Sequence, residues 1–156
     1  MPTSTLRAST ALLALAVSLP LGAAAATKPF TGPAGWEHTV GLAATPQNPR
    51  ASETWRKSDG QLVTYLADAG TVYDDTLALV KKNISDNAFK TSTDTDRKCD
   101  GRRAHELEMT FGTSVVHQVI VDDAPGVTKL TYTRNQGLPM DPDVIAAINA
   151  YCGPST

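Results

Sequence analysis

The stretch Arg103–Arg134, RAHELEMTFGTSVVHQVIVDDAPGVTKLTYTR, decides the fold. It holds three runs of alternating apolar and polar residues: Arg103–Phe111, Val115–Asp122 and Val127–Arg134. A period of two is the signature of a half-buried strand, because successive side chains leave opposite faces of the sheet. Gly112-Thr113 and Asp123-Ala-Pro-Gly126 separate the runs. Both joins have the composition of tight turns, so the three runs predict an antiparallel meander. A two-residue turn at Gly112-Thr113 sets Glu108 opposite His117. If the next turn pairs Asp122 with Val127, Tyr132 also faces His117. Glu108, His117 and Tyr132 then make a polar row across three strands.

Upstream, Trp36–Leu42 reads as a short strand and Ala43–Ser52, with Pro46 and Pro49, as a loop. Glu53–Lys57 and Gln61–Ala67 flank Ser58-Asp59-Gly60, whose Asp-Gly pair signals a hairpin. The expected register puts Trp55 on one face with Leu62 and Leu66. Thr71–Asp86 reads as a helix capped by Thr71, with Asp74 three residues on. Tyr73, Leu77, Val80 and Ile84 form its apolar stripe. Ala88–Ser92 reads as a strand, and the polar Thr93–Gly101 as a loop. The chain closes on a second helix, with Asp141 as cap, Pro142 in the first turn and Gly153-Pro154 as stop. Val144, Ile145, Ile148, Tyr151 and Cys152 are expected on its buried face.

These elements predict an α+β domain over 36–153, with a mostly antiparallel sheet of about six strands and two main helices. Ahead of it, 27–35 reads as an extended lead-in. Residues 1–26 read as a signal peptide: a weakly basic start with Arg7, an apolar run at Ala11–Leu21, and a small-residue stretch ending at Ala26. The apolar run is too short for a membrane span and is broken by Pro20. Export is therefore expected, to the periplasm or beyond the cell, with cleavage near Ala26.

The chain has 156 residues, 14 Lys plus Arg against 16 Asp plus Glu, and 41% hydrophobic residues. That balance argues against a nucleic-acid binder and against a disordered tail. Two cysteines are too few for a four-cysteine zinc module. In an exported chain, Cys99 and Cys152 read as one disulfide.

The element order, Trp36 and Trp55 at the start of early strands, and Cys99-Asp-Gly101 leading into the meander resemble the PsbP-like fold. The resemblance spans about Trp36 to Cys152. It implies a non-catalytic accessory or binding role, with no shared site to carry over, and the disulfide is not part of the general family pattern.

Several chemistries fail on their spacing. His105-Glu106-Leu107-Glu108-Met109 has methionine where the zinc-protease motif needs its second histidine. Asp94, Asp96 and Asp100 suggest a calcium loop, but Lys98 occupies the third ligand position. The two-residue turn at Gly112-Thr113 puts His105 and His117 on opposite faces, and a three-residue loop would put them on one face but about 13 Å apart at strand rise, so neither register lets them share a metal. There is no nucleophile elbow, phosphate loop or dinucleotide glycine pattern. No metal and no cofactor are expected. Asn83-Ile84-Ser85 matches a glycosylation sequon inside the first helix. Arg97, Lys98, Arg102 and Arg103 form a basic cluster interrupted by acidic residues, read as a solvated loop or as a patch for an anionic partner.

Three functions remain in view. The first is a non-catalytic module that binds a small ligand or an envelope or secreted protein. The second is a small secreted hydrolase using Glu108, His117 and Tyr132. The third is a secreted inhibitor, for which Phe30 and Trp36 are candidate docking anchors.

Overall fold

A computed structural model describes residues 28–153. The signal peptide read over 1–26 lies outside the described residues. The elements run β1 (Glu37–Leu42), β2 (Arg50–Arg56), β3 (Leu62–Asp68), α1 (Tyr73–Asp86), β4 (Lys90–Cys99), β5 (Arg102–Phe111), β6 (Ser114–Asp123), β7 (Gly126–Asn135) and α2 (Pro142–Cys152). All seven strands join one antiparallel sheet in the order β1-β2-β3-β7-β6-β5-β4. The fold is α+β, with seven strands rather than about six. No helix among the described residues is long and apolar enough to cross a membrane.

The additional length is β4. Its sequence KTSTDTDRKC is polar on both faces, and most of its side chains are exposed. It is an edge strand, held by its ladder to β5 rather than by burial. Thr93–Gly101 is therefore mainly strand and not loop, because backbone pairing needs no apolar alternation. The charges along this edge also discourage pairing with another chain.

The meander follows the expected register. Phe111 pairs with Ser114 across Gly112-Thr113, and Asp122 pairs with Val127. The β2–β3 hairpin departs from expectation: Trp55 pairs with Val63, so its face is shared with Val63 and Tyr65 and not with Leu62 and Leu66.

The sheet is covered on both sides. On one face Val63, Tyr65, Val119, Val121, Leu130 and Tyr132 pack with Val144, Ala147, Ile148 and Tyr151 of α2. On the other, Leu107, Met109, Ile120 and Val127 pack with Tyr73 of α1, backed by Leu77, Val80 and Ile84. The predicted α1 stripe is the buried one. Its cap differs: Val72 is the N-cap residue without a side-chain bond, and Thr71 Oγ1 donates instead to Asp68 O. In α2, Asp141 caps as expected, its carboxylate accepting from Asp143 N–H at 2.9 Å. Ile145 is 40% exposed, and Ala147 takes the inward position.

Phe30 and Trp36 are both buried. Phe30 stacks on Tyr65 and meets Trp55 and Tyr151 edge-on. The lead-in thus crosses the α2 face and contributes to its core, which corrects the expectation that these aromatics could serve as exposed anchors. Gly32 lets it pass: with φ +74°, a Cβ there would lie 2.2 Å from the Trp55 ring.

Cys99 and Cys152 form a disulfide that ties the end of α2 to the end of β4. Asp100 N–H adds a hydrogen bond to Cys152 O at 2.6 Å. The basic cluster is dispersed. Arg97 pairs with Glu106, Arg102 with Asp123, and Arg103 with Asp74 and Asp122.

Candidate functional site

The ladder places Glu108 opposite His117, and His117 opposite Tyr132. All three lie on the α2 face, because they alternate in step with buried Val119, Leu130 and Ala104. Register alone does not decide which atoms meet.

The His117 ring is 6% exposed and lies between two carboxylates. Its Nε2 is 3.1 Å from Glu106 Oε1, and its Nδ1 is 3.7 Å from Glu108 Oε2. The closer carboxylate is Glu106, diagonal to His117 on β5. Arg97 Nη1 donates to Glu106 Oε2 at 3.0 Å. Arg134 Nη2 donates to Glu108 Oε2 at 3.0 Å, and Ser92 Oγ donates to Glu108 Oε1 at 3.0 Å. The result is a belt across four strands: Arg97, Glu106, His117, Glu108, Arg134.

Electrostatics follow from these contacts. Glu106 titrates below the ordinary glutamate range, first through its hydrogen bond with His117 and then through the charges of His117 and Arg97, with burial opposing. For Glu108, burial pushes upward, but the hydrogen bonds from Arg134 and Ser92 outweigh it and the net direction is down. Both carboxylates are thus held ionised, which suits ion pairing better than proton donation.

Tyr132 does not join the belt through its hydroxyl. The hydroxyl donates to Gln61 Oε1 and accepts from Asp141 N–H at 3.4 Å. Burial raises its pKa. Asp141 in turn is ion-paired with Lys57. Tyr132 therefore braces the start of α2 against the β2–β3 hairpin, turned away from His117 chemistry. Only its ring faces the belt, with the Arg134 guanidinium 5.7 Å from its centroid.

Comparison with family models, with curated proteins and with solved structures finds no match for this chain.

His105 lies on the opposite face, 2.6 Å from Asp94 through Nε2 and 2.7 Å from Asp96 through Nδ1. Lys81 of α1 also reaches Asp94, at 2.9 Å. The hydrogen bond from Lys81 is the first cause of the lowered Asp94 pKa. His105, Asp94, Asp96 and Lys81 thus form one hydrogen-bonded group that pins α1 to β4, while Asp100 pairs with Lys28 instead. The group's two carboxylates lie on opposite sides of the ring, so it offers no single metal centre. No group of metal ligands occurs among the described residues.

Described residues line, among others, three surface cavities. One of about 590 Å3 lies at the β2–β3 hairpin beside Lys57 and Gly60. Another of about 590 Å3 lies between α1 and β4–β5, beside Tyr73, Leu77, Lys98 and Arg103. The third, about 260 Å3, adjoins Phe89 and Phe111. Of the belt, only Arg97 lines one of these, the cavity between α1 and β4–β5; Glu106, Glu108, His117 and Arg134 line none of the three.

The sequence places Arg97 only in a basic cluster, and it does not single out Glu106 or Arg134 for this site. A signal for Glu106 was present: it lies two residues from Glu108, hence on the same face and diagonal to His117. Arg97 stayed hidden while its segment read as loop. Arg134 reaches past its direct neighbour Val115 to Glu108 two strands away, which no pairwise register announces.

Proposed function

We propose that this protein is an exported, non-catalytic binding or accessory module, the role that the PsbP-like resemblance also implies. The observation that carries it is the arrangement of the Glu108, His117 and Tyr132 row. The Tyr132 hydroxyl is committed to Gln61 and Asp141, and the His117 ring lies between two arginine-paired carboxylates. A hydrolase needs an acid–base pair open to a reacting group, and this row is bound up in its own contacts. An inhibitor built on Phe30 and Trp36 would need them exposed, and both are buried. Export is supported by the Cys99–Cys152 disulfide, a bond favoured in oxidising compartments. The partner is a small ligand or an envelope or secreted protein, with no nucleic acid.

The test is native mass spectrometry of the oxidised protein purified from its host compartment. A mass excess that leaves on denaturation supports the reading. Esterase or glycosidase turnover abolished by His117→Ala would overturn it in favour of a hydrolase.

A further inference from the structure

The ladder between β4 and β5 sets Lys98 directly opposite Arg103. Directly opposed side chains have Cβ atoms about 4.5–5.5 Å apart, and like charges at that spacing repel. The pair lies on the α1 face: Arg103 reaches Asp74 of α1, and its guanidinium carbon is 4.2 Å from the Tyr73 ring centroid. Both residues line the cavity of about 590 Å3 between α1 and β4–β5. Both are accessible: Lys98 is exposed, and the Arg103 side chain is 51% exposed.

The charges around this pair are unevenly answered. Arg103 donates through Nε to Asp122 and through Nη2 to Asp74, at 3.2 and 3.1 Å. Its Nη1 has no acceptor among the described residues. Asp96, which also lines the cavity, is hydrogen-bonded to His105 at 2.7 Å. Arg97 lines it too and is ion-paired with Glu106. Lys98 Nζ has neither an ion pair nor a hydrogen bond among the described residues.

Tyr73 supplies a third unmet donor. It is 4% exposed, and it lines the same cavity. Its hydroxyl has no hydrogen-bond partner among the described residues, whereas a buried tyrosine hydroxyl usually finds one. Burial holds its pKa above the ordinary tyrosine value, so the hydroxyl keeps its proton and can donate. Three donors converge on one cavity, and what they lack is acceptor oxygen. One unanswered cation, Lys98, calls for one negative charge. A bare carboxylate fills only a small part of the volume, and Leu77 of the α1 stripe gives the remainder an apolar wall.

We propose that this cavity binds a small monocarboxylate with an apolar tail, its carboxylate bridging Lys98 Nζ and Arg103 Nη1 and accepting from the Tyr73 hydroxyl. The bound anion relieves the repulsion between the opposed cations and meets the buried phenol. A mouth between helix and sheet edge lets the tail enter beside Leu77. This inference rests on the binding-module reading and gives it a ligand class.

The experiment is isothermal titration calorimetry of the oxidised protein with acetate, butyrate and hexanoate, and with hexylamine and inorganic phosphate as controls. The expected result is one-site binding that tightens about tenfold or more from acetate to hexanoate, with hexylamine and phosphate weaker than hexanoate. Lys98→Gln should weaken hexanoate binding about tenfold, and Tyr73→Phe by threefold to tenfold, roughly. Lys82→Gln, elsewhere on α1 and paired with Asp86, should leave it unchanged. Unliganded Lys98→Gln should melt no lower than the parent, because it removes a like-charge pair; a lower melt would give Lys98 a structural partner and overturn the proposal. Binding of no carboxylate below about 10 mM, equal binding by parent and Lys98→Gln or Tyr73→Phe, or phosphate as tight as hexanoate would each overturn it as well. A different ligand found on the purified protein would then leave the binding-module reading standing. A bare protein together with failed titrations would sink both.

Discussion

Breaking the Cys99–Cys152 bond should destabilise the domain through its unfolded state. The cysteines are 53 residues apart in sequence. Loop-closure entropy for that span corresponds to ~4 kcal/mol at room temperature. Both half-cystines are buried, so reduction with dithiothreitol is a gentler perturbation than a polar substitution, and a Cys99→Ala/Cys152→Ala double variant provides the check. Unfolding entropy near 60 °C is about 2.1 cal/mol/K per residue. For a domain of about 126 residues, 4 kcal/mol then converts to a melting-temperature drop of about 15 °C. The assay is thermal and urea unfolding followed by circular dichroism, oxidised against reduced. The urea m-value should rise on reduction, because the freed unfolded chain exposes more surface. A drop of under about 4 °C, equivalent to about 1 kcal/mol, or an m-value that stays constant, would refute the entropic reasoning.

Other expected outcomes are smaller and local. Tyr132→Phe removes the hydroxyl from buried Gln61 and from Asp141 N–H; a loss of about 1–3 kcal/mol should appear in urea unfolding. Gly32→Ala combines a strained positive φ with a Cβ inside the Trp55 ring, and should cost about 2 kcal/mol or more while altering Trp55 fluorescence. Asp141→Ala deletes the α2 cap and the Lys57 partner, with an expected cost of about 1–2 kcal/mol in thermal melts. Acid should destabilise the protein through Glu106, Glu108 and Asp141, whose folded pKa values are all lowered. A lowered folded value means the stabilisation is complete above the ordinary carboxylate range. It is lost as pH falls from about 4 through the folded values. Urea midpoints at pH 6 and pH 3 should therefore differ, and Glu106→Gln should shrink that difference.

The parts of the fold legible in sequence are those where a local rule and the tertiary environment agree. The Val115–Asp122 run alternates, its turns are two residues long, and the resulting register sets His117 between Glu108 and Tyr132. Tyr73, Leu77, Val80 and Ile84 repeat at helical spacing because α1 has only one buried face. Only the start of β4, within Ala88–Ser92, was legible; from Thr93 on it was not, because an edge strand needs backbone pairing and not alternating burial. The candidate site was only half legible for a related reason. Strand pairing names the neighbours directly across, but long side chains choose diagonals, as His117 does with Glu106 and Arg134 with Glu108. The Tyr132 hydroxyl finds Gln61 at a separation of 71 residues, a distance over which periodicity carries no information.

The strand order has a consequence for how the chain becomes a protein. β7, the last strand in sequence among the described residues, lies between β3 and β6 at the centre of the sheet. Until Gly126–Asn135 arrives, β1–β3 and β4–β6 are two half-sheets, each with a bare inner edge and no shared ladder. The α2 lid and its cysteine come later still. A chain threaded amino end first through a narrow pore would thus keep an incomplete sheet until Asn135 had crossed. For a chain made in that way, closure would wait for β7 to join the halves, and oxidation of the cysteines would then tie down α2.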